Sequence, residues 1–347
     1  MDRSKILTPY TTTVFSLLLL ITVIAACATN NTCDGVQIND QGKQQRIDPT
    51  FRKPQMTTPL LFAHRGGVLE VPESTKCAFK YALEIAKADV LELDIQLTRD
   101  GRYVVWHGPE LDRVDITGMH AKSSELSRDK KYIWDFDWSE LDGQAWVKQP
   151  EKTSTDRVAC NRGDTELMLL SEFLQEFPNA PLNIEMKGSF KKKISNGNGL
   201  EDNVHGFLKI LEQGQGERTI VVVSAQHKII KEFRRQGGER YPTNLSWLEQ
   251  IYLRFSNKCL QNRVLETTYG KNFASRATIE KVRRLGGSTY VFLTKFGPIP
   301  AIDKHPSVER DRIFEILDRG VDGIMTDRPQ KLRQIIDEWL NDRSLPQ

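Results

Sequence analysis

From residue 60 onward, short apolar runs alternate with stretches whose apolar residues recur at the period of a helix. The run at 60–63, for example, is followed by a pattern that places Phe79, Leu83 and Ala86 on one helical face. Parallel strands need a long crossover between them, usually a helix, so this alternation is typical of repeated βα units. It predicts an α/β fold built on a parallel sheet.

Eight apolar runs are candidate strands of that sheet. They span residues 60–63, 90–95, 182–186, 219–223, 250–255, a weak run at 267–273, 289–293 and 321–325. Each is followed by a helix or by a loop long enough to hold one, which favours a closed (β/α)8 barrel, the TIM barrel. An open doubly wound sheet is the alternative. It usually carries a GxGxxG loop after its first strand, where this chain reads His64-Arg65-Gly66-Gly67.

Three local signals add detail to this barrel, which we place at residues 59–342. Ser74 is the predicted N-cap of the first helix. Asp100-Gly101 predicts a hairpin turn into a short strand at 102–106. Residues 108–165 show no clear period, so we interpret them as an insertion after the second strand.

The amino terminus reads as an export signal. Arg3 and Lys5 precede an apolar stretch at 14–26 that is too short to span a bilayer comfortably. The sequence Ile24-Ala25-Ala26-Cys27 resembles the bacterial lipobox, which implies a signal peptide at 1–26 and lipidation of Cys27. A buried core helix is the alternative. Residues 27–58 are polar and are expected to form a flexible tether.

These features predict an exported lipoprotein that the lipid on Cys27 anchors in the bacterial cell envelope. Ala28 follows the cysteine instead of the Asp that resembles an inner-membrane retention signal, so we expect a periplasmic, outer-membrane location. The formal net charge of +3 argues against nucleic acid as a partner. Sequence cannot pair the other cysteines, and Cys77 is interpreted as a small core residue because it lies in a helical pattern.

Three carboxylates are candidate metal ligands. Glu92 and Asp94 are two residues apart on a predicted strand, so their side chains leave by the same face. Carboxylates held side by side repel unless a cation lies between them, and Glu185 could complete an all-oxygen site. Such ligands favour a divalent magnesium or calcium ion over zinc. The alternative is that Glu92 and Asp94 form the solvent face of an edge strand.

Two histidines at predicted strand ends, His64 and His107, are candidates for acid and base catalysis. Hydrolysis of a phosphodiester needs a base to activate a hydroxyl and an acid to protonate the departing oxygen, and a histidine pair can supply both. Arg65 and Lys187 could neutralise charge on the phosphoryl oxygens. Taken singly, either histidine is more often a structural residue.

Six ordered sequence blocks together resemble the glycerophosphodiester phosphodiesterase family, from about residue 60 to residue 340. The blocks are His64-Arg65-Gly66, Pro72-Glu73-Ser74-Thr75, Glu92-Leu93-Asp94, Asp100-Gly101 with Val104-Val105-Trp106-His107, Asn183-Ile184-Glu185-Met186-Lys187, and Asp322-Gly323-Ile324-Met325-Thr326-Asp327-Arg328-Pro329. The resemblance implies a TIM barrel with an insertion after strand two. It also implies a metal-dependent hydrolase that releases glycerol 3-phosphate and an alcohol.

The resemblance implies a role for each matching residue. His64 and His107 would be the acid and base. The metal ligands would be Glu92, Asp94 and Glu185. Arg65 and Lys187 would contact phosphate, and Glu73 would support the site. A hydroxyl of the substrate's own glycerol would attack phosphorus and give a cyclic phosphate that water then opens.

The chain departs from the family pattern at Gly108, at Ser224-Ala225-Gln226 and at Phe292. The last two lie where the alcohol would be held, so headgroup preference is left open. Asp327 could touch substrate or cap a loop or helix. Two rival functions also stay open: phospholipase D-like cleavage of lysophospholipid or sphingomyelin, and non-catalytic binding of phosphodiesters in the envelope. The choice of metal and any protein partner are not predicted.

Overall fold

The computed structural model describes residues 58–116, 131–149, 158–193, 199–214, 216–268, 274–293 and 306–344. Its strands are β1 (Leu60–His64), β2 (Val90–Leu97), β3 (Tyr103–Val105), β4 (Val114–Ile116), β5 (Ala145–Val147), β6 (Leu182–Met186), β7 (Ile220–Val223), β8 (Thr243–Asn244), β9 (Arg263–Thr268), β10 (Ser288–Leu293) and β11 (Gly323–Thr326). Its α-helices are α1 (Lys76–Glu84), α2 (Leu170–Glu176), α3 (Leu200–Gly214), α4 (His227–Arg235), α5 (Trp247–Leu253), α6 (Arg276–Arg284), α7 (Pro306–Asp318) and α8 (Pro329–Ser344).

Eight parallel strands close into a barrel in the order β1-β11-β10-β9-β8-β7-β6-β2, and β2 pairs with β1 to complete the ring. Strand β3 extends β2 as an antiparallel hairpin, as the Asp100-Gly101 turn predicts. The closed (β/α)8 barrel is therefore confirmed.

Side chains inside the barrel form layers, because successive residues of a strand point alternately inward and outward. An apolar layer fills the interior and includes Phe62, Val90, Val221 and Tyr290. Further toward the carboxyl ends, the register places His64 opposite Glu92, and Asp94 opposite Glu185. The apolar layer thus supports a polar layer at the mouth of the barrel.

The second half of the barrel corrects two predicted strands. Residues 250–255 are not a strand, because helix α5 covers Trp247–Leu253 with Ser246 and Glu249 forming a capping box at its start. The fifth barrel strand is β8, which is only two residues long. The weak run at 267–273 is shifted, since strand β9 covers Arg263–Thr268.

The loop between β1 and α1 corrects another prediction. Thr75, rather than Ser74, is the N-cap of α1, and its hydroxyl accepts a hydrogen bond from the Ala78 amide at 3.2 Å. Gly66 in this loop has φ +83°, and a Cβ there would lie 2.6 Å from the Cβ of Ala78. Only glycine fits so close to the helix in that conformation.

The described part of 108–165 contains the antiparallel pair β4 and β5 and short 3-10 helices. It has its own apolar cluster, which includes Val114, Phe136 and Trp138. A disulfide between Cys77 and Cys160 ties helix α1 to this region, so the interpretation of Cys77 as a core thiol is wrong. The bond closes 83 residues of chain, which a loop-entropy model values at about 4 to 5 kcal/mol.

The amino-terminal predictions lie outside the described residues: the signal peptide at 1–26, Cys27 and all but the last residue of the tether at 27–58. Within the part of the chain that the structure describes, every helix is too short or too polar to cross a bilayer.

Candidate active site

The barrel brings the predicted metal ligands together. One oxygen from each of Glu92, Asp94 and Glu185 lies within 4.8 Å of the other two. Glu92 and Asp94 are buried, and Glu185 is partly exposed at the mouth. Strands β2 and β6 are neighbours in register, which explains why carboxylates more than 90 positions apart in the chain meet here. The alternative of a solvent-facing edge strand is wrong, because β2 is buried along its whole length.

Two positively charged side chains, Lys187 and Arg65, hold this carboxylate cluster together. The Lys187 ammonium lies 2.8 Å from Asp94 Oδ1 and 2.7 Å from Glu185 Oε2. Arg65 Nε lies 3.0 Å from Asp94 Oδ2, and Arg65 Nη1 donates to Glu73 Oε2 at 2.7 Å. The described contacts of Arg65 are thus carboxylates, and its contact with phosphate stays a prediction. Glu73 lies beside the cluster and holds Arg65 through this bond, and its supporting role stays a prediction.

The backbone of Arg65 also contributes to the site. Its N–H donates to Glu92 Oε2 at 2.9 Å, and its φ of +51° is rare for a residue with a side chain. Strained backbone of this kind is common at functional sites, where the surrounding structure holds it in place. Here the strain orients an amide toward a metal-ligand candidate. The guanidinium of Arg113, from the region after β3, contacts the other oxygen of Glu73.

The charge state of the cluster fits a divalent cation. Burial, followed by repulsion from Asp94, raises the pKa of Glu92 to about 7. Asp94 is buried, but Lys187 and Arg65 outweigh that burial and hold its pKa well below the usual range. A dication among the three oxygens would favour the ionised form of Glu92. All-oxygen ligation suits a hard cation such as magnesium or calcium.

His64 is paired with a residue whose role the sequence left open. Its Nδ1 lies 2.5 Å from Asp327 Oδ1, and both side chains are buried. Although burial of His64 opposes protonation, the charge of Glu92 and the bond to Asp327 raise its pKa above the usual value. The bond assigns the proton on Nδ1 and leaves Nε2 as the nitrogen that can give a proton to a substrate. His64 is therefore suited to act as an acid.

The pKa of His107 is shifted in the opposite direction to that of His64. Burial lowers its pKa to about 3, and the positive charges of Lys187 and Arg65 add to this against the attraction of Asp94. Its backbone carbonyl accepts from Gln96 Nε2 at 2.8 Å, which fixes the chain just after β3. A neutral imidazole at pH 7 can accept a proton. Two histidines with pKa values moved apart in this way suggest an acid and a base.

A fourth carboxyl, absent from the predicted site, lies near the cluster. Glu266 on β9 points into the barrel, and Asn183 Nδ2 lies 2.5 Å from its Oε1. Burial raises the pKa of Glu266 to about 8, with further repulsion from Glu185 and Glu92. It is therefore largely protonated at neutral pH. Glu266 lies two residues after Val264 on β9, so their side chains point to the same face. That spacing could have identified Glu266, but the predicted strand started only at residue 267.

A cavity of about 580 Å³ opens beside His107 and Lys187. Its other walls include Trp134 from the region after β3, Gln226 after β7, and Lys191 and Lys192 after β6. Lys192 Nζ lies 4.5 Å from the centroid of the Trp134 ring, a cation-π contact. Gln226 belongs to one of the segments where the sequence departs from the family pattern. Phe292 lies inside the barrel against the apolar layer.

Two known proteins are similar to this chain in sequence. A glycerophosphodiester phosphodiesterase of Caldanaerobacter subterraneus subsp. tengcongensis is 27% identical over 282 residues, which cover 80% of this chain and 97% of that protein. Human lysophospholipase D GDPD1 is 34% identical over 136 residues, which cover 39% of this chain and 38% of that protein.

Solved structures share the fold at low sequence identity. A glycerophosphodiester phosphodiesterase from Agrobacterium tumefaciens has a TM-score of 0.54 at 17% identity and covers 79% of this chain and 99% of that one. An Oleispira antarctica phosphodiesterase, solved with its product sn-glycerol-3-phosphate, has a TM-score of 0.54 at 16% identity, with 81% and 97% covered.

The model of the family described as "Glycerophosphoryl diester phosphodiesterase family" matches residues 64–331. That range begins at His64, ends beyond Asp327 and includes every residue of the site described above. On this evidence the chain belongs to the glycerophosphoryl diester phosphodiesterase family.

Proposed function

We propose that this protein hydrolyses glycerophosphodiesters to glycerol 3-phosphate and an alcohol. The observation that carries the proposal is a cluster of three carboxylates beside two histidines of opposite proton affinity, in a chain of this family. The relative from Caldanaerobacter subterraneus, named for the same activity, aligns over nearly its whole length. The rival of a non-catalytic binding protein needs a damaged acid and base set, and both histidines are present.

The two histidines divide the proton transfers between them. Neutral His107 accepts the proton of the attacking hydroxyl as its oxygen bonds to phosphorus. His64, protonated and held by Asp327, gives its Nε2 proton to the alcohol oxygen as the bond from phosphorus to that oxygen breaks. When the attacking hydroxyl is that of the substrate's own glycerol, this step gives a cyclic phosphate, a protonated His107 and a neutral His64. Water then opens the cyclic phosphate: His64 takes a proton from the attacking water, and His107 returns its proton to the glycerol oxygen that leaves phosphorus. Glycerol 3-phosphate is released, and both histidines regain their starting protonation states.

Glu92, Asp94 and Glu185 would hold one divalent cation, calcium or magnesium, which would polarise a phosphoryl oxygen and stabilise its developing charge. Lys187 lies between this cluster and the cavity, so its ammonium can contact a phosphoryl oxygen from the same side. Arg65 positions Asp94 through its guanidinium and Glu92 through its amide. Glu73 keeps that guanidinium in place.

The test is release of glycerol 3-phosphate from glycerophosphodiesters by wild-type protein and by His64→Ala and His107→Ala variants. We expect each variant to lose about 10²- to 10⁴-fold in kcat, the range of a general acid or base step. His205→Ala is the matched control, because His205 is exposed on α3. Circular dichroism should show that all variants fold. Full activity in either site variant would contradict the assignment.

Phospholipase D-like cleavage is the second candidate, supported by the local similarity to human lysophospholipase D GDPD1. In this reaction the substrate is a lysophospholipid, the headgroup alcohol leaves, and the product is a lysophosphatidic acid. Parallel assays with glycerophosphocholine and lysophosphatidylcholine separate the two functions. We expect the larger kcat/KM for glycerophosphocholine, and a larger value for the lysophospholipid would favour the alternative.

We further propose that the protein is exported and anchored in the bacterial envelope, at the periplasmic side of the outer membrane, by lipid on Cys27. The lipobox-like sequence supports this, and so does the Cys77–Cys160 disulfide, since such bonds persist in oxidising compartments. Labelled palmitate should enter the wild-type protein and not the Cys27→Ser variant. Equal labelling of both would exclude an anchor at Cys27.

A further inference from the structure

Helix α5 and the two residues after it expose four large apolar side chains on the outside of the barrel. They are Trp247 (58% exposed), Ile251 (50%), Tyr252 (67%) and Phe255 (78%). Among the described residues, a fifth such side chain, Ile85, is exposed by 54% elsewhere, at the end of α1. Contiguous exposed apolar side chains usually mark an interaction surface. We call residues 247–255 the α5 patch.

The patch is built on a well-anchored helix. Leu253 points inward and packs in a cluster with Leu245 and Leu260. The Ser246 amide donates to Glu249 Oε2 at 2.8 Å, and Arg234 binds the other oxygen of Glu249 at 2.7 Å. A surface helix normally turns polar residues to solvent. Here the outward side carries Trp247 and Ile251, so the exposed apolar face is a fixed feature of the fold.

The chemistry of the patch fits the interfacial layer of an anionic bilayer. Trp and Tyr prefer that layer because one end of each ring is apolar and the other polar. Arg254 and Lys258 are exposed beside the aromatic residues and can approach lipid phosphates. The carboxylate of Glu249 is paired with Arg234, so it adds little repulsion.

Under the anchoring proposed above, we propose that the α5 patch docks onto the surface of the bilayer that holds the lipid anchor. Trp247 follows the carboxyl end of β8 by three residues, so the patch starts at the rim where the catalytic residues lie. Docking would hold this rim next to the membrane.

The docking is tested with the mature polypeptide from residue 28, which has no lipid. Its binding is measured to anionic vesicles that contain phosphatidylglycerol and to vesicles of phosphatidylcholine alone. The triple variant Trp247→Ser/Ile251→Ser/Phe255→Ser should bind at least tenfold more weakly than the parent chain. Ile85→Ser, which removes an exposed apolar side chain elsewhere, should bind like the parent. Arg254→Gln/Lys258→Gln should weaken binding to the anionic vesicles only, and added salt should reproduce that effect.

Two results would overturn docking: equal binding by the parent and the triple variant, or equal loss in Ile85→Ser. A dimer that the triple variant dissociates, without vesicle binding, would assign the patch to a second copy of the chain instead. Hydrolysis of soluble glycerophosphocholine should be the same in the triple variant and the parent. Failure of docking is therefore distinguishable from failure of the proposed activity.

Discussion

Single residues of this site depend on partners far away in the chain. Asp327, which follows the last barrel strand, accepts a hydrogen bond from His64 at the end of the first strand. Burial alone would lower the pKa of this imidazole, but the charge of Glu92 and the bond to Asp327 raise it above the usual value. The acid is thus made by two residues that are 263 positions apart.

Changing Asp327 to Asn should therefore alter the pH profile as well as the rate. Loss of the carboxylate lowers the pKa of His64, so the protonated acid is lost at lower pH. We expect kcat to fall by about 10²-fold and the alkaline limb of kcat/KM to move to lower pH. A pH-rate profile checks this, with the exposed Asp142→Asn as the control. An unchanged alkaline limb would contradict the role of Asp327.

The sequence predicts the metal-ligand candidates and histidines better than it predicts their partners. Glu92 and Asp94 are recognisable because alternation along a single strand places them on one face. The pairing of His64 with Asp327 depends on β1 and β11 being neighbours, which is a property of the closed barrel. Glu266 is hidden for a similar reason, because its inward direction depends on the true start of β9.

At the scale of elements, the fifth strand is misplaced in the sequence prediction because its burial also depends on neighbouring strands. Strand β8 contains only Thr243 and Asn244, and neighbouring strands bury it without any apolar run. Residues 250–255 are apolar because of the exposed face of α5, so they imitate a buried strand in the sequence. An apolar run therefore predicts a buried strand wrongly when its side chains lie on an exposed helix face, as they do in α5.

The segment after β6 should control which alcohol the enzyme releases. Lys191 and Lys192 line the cavity beside His107, and a cationic choline there would be repelled by about 1 kcal/mol per ammonium at 4 Å in water. We therefore expect glycerophosphoglycerol to be preferred over glycerophosphocholine. The variant Lys191→Ala/Lys192→Ala should reduce that preference by up to about 30-fold, the equivalent of about 2 kcal/mol.

The measurement is the ratio of kcat/KM for the two substrates. Lys209→Ala/Lys231→Ala removes two exposed lysines from helices α3 and α4 and serves as the control. A ratio that is the same in the wild type and the Lys191/Lys192 variant would show that these ammonium groups do not select the headgroup.

At the scale of the whole molecule, buried acids link stability to pH and metal. Burial raises the pKa of Glu70 and Glu92 to about 7 and that of Glu266 to about 8, from an ordinary value of 4.5. Between pH 4.5 and these raised values, the folded protein keeps protons that the unfolded chain has released. The free energy of unfolding contributed by these groups therefore falls as pH rises from 4.5 to about 8.

In the metal chelator EDTA, Tm should fall between pH 6.5 and 8. That window begins at the ordinary histidine pKa of 6.5, so the lowered pKa of His107 opposes the decline only in its first part, and the raised pKa of His64 adds to the decline. Calcium or magnesium should restore Tm most strongly at pH 8, because the cation needs ionised Glu92. Glu266→Gln should flatten the decline between pH 7 and 8. A Tm that rises with pH in EDTA would contradict the carboxyl assignments.

The seam between β1 and β11 has a consequence for how activity is acquired during synthesis. The proton donor needs both edges of this seam, since His64 comes from one and Asp327 follows the other. A chain still emerging from the ribosome would carry the first half of the site for about 260 codons without the second. Premature termination before residue 327 should therefore cost at least the ~10²-fold in kcat that loss of the Asp327 carboxylate is expected to cost, however much of the ring had formed.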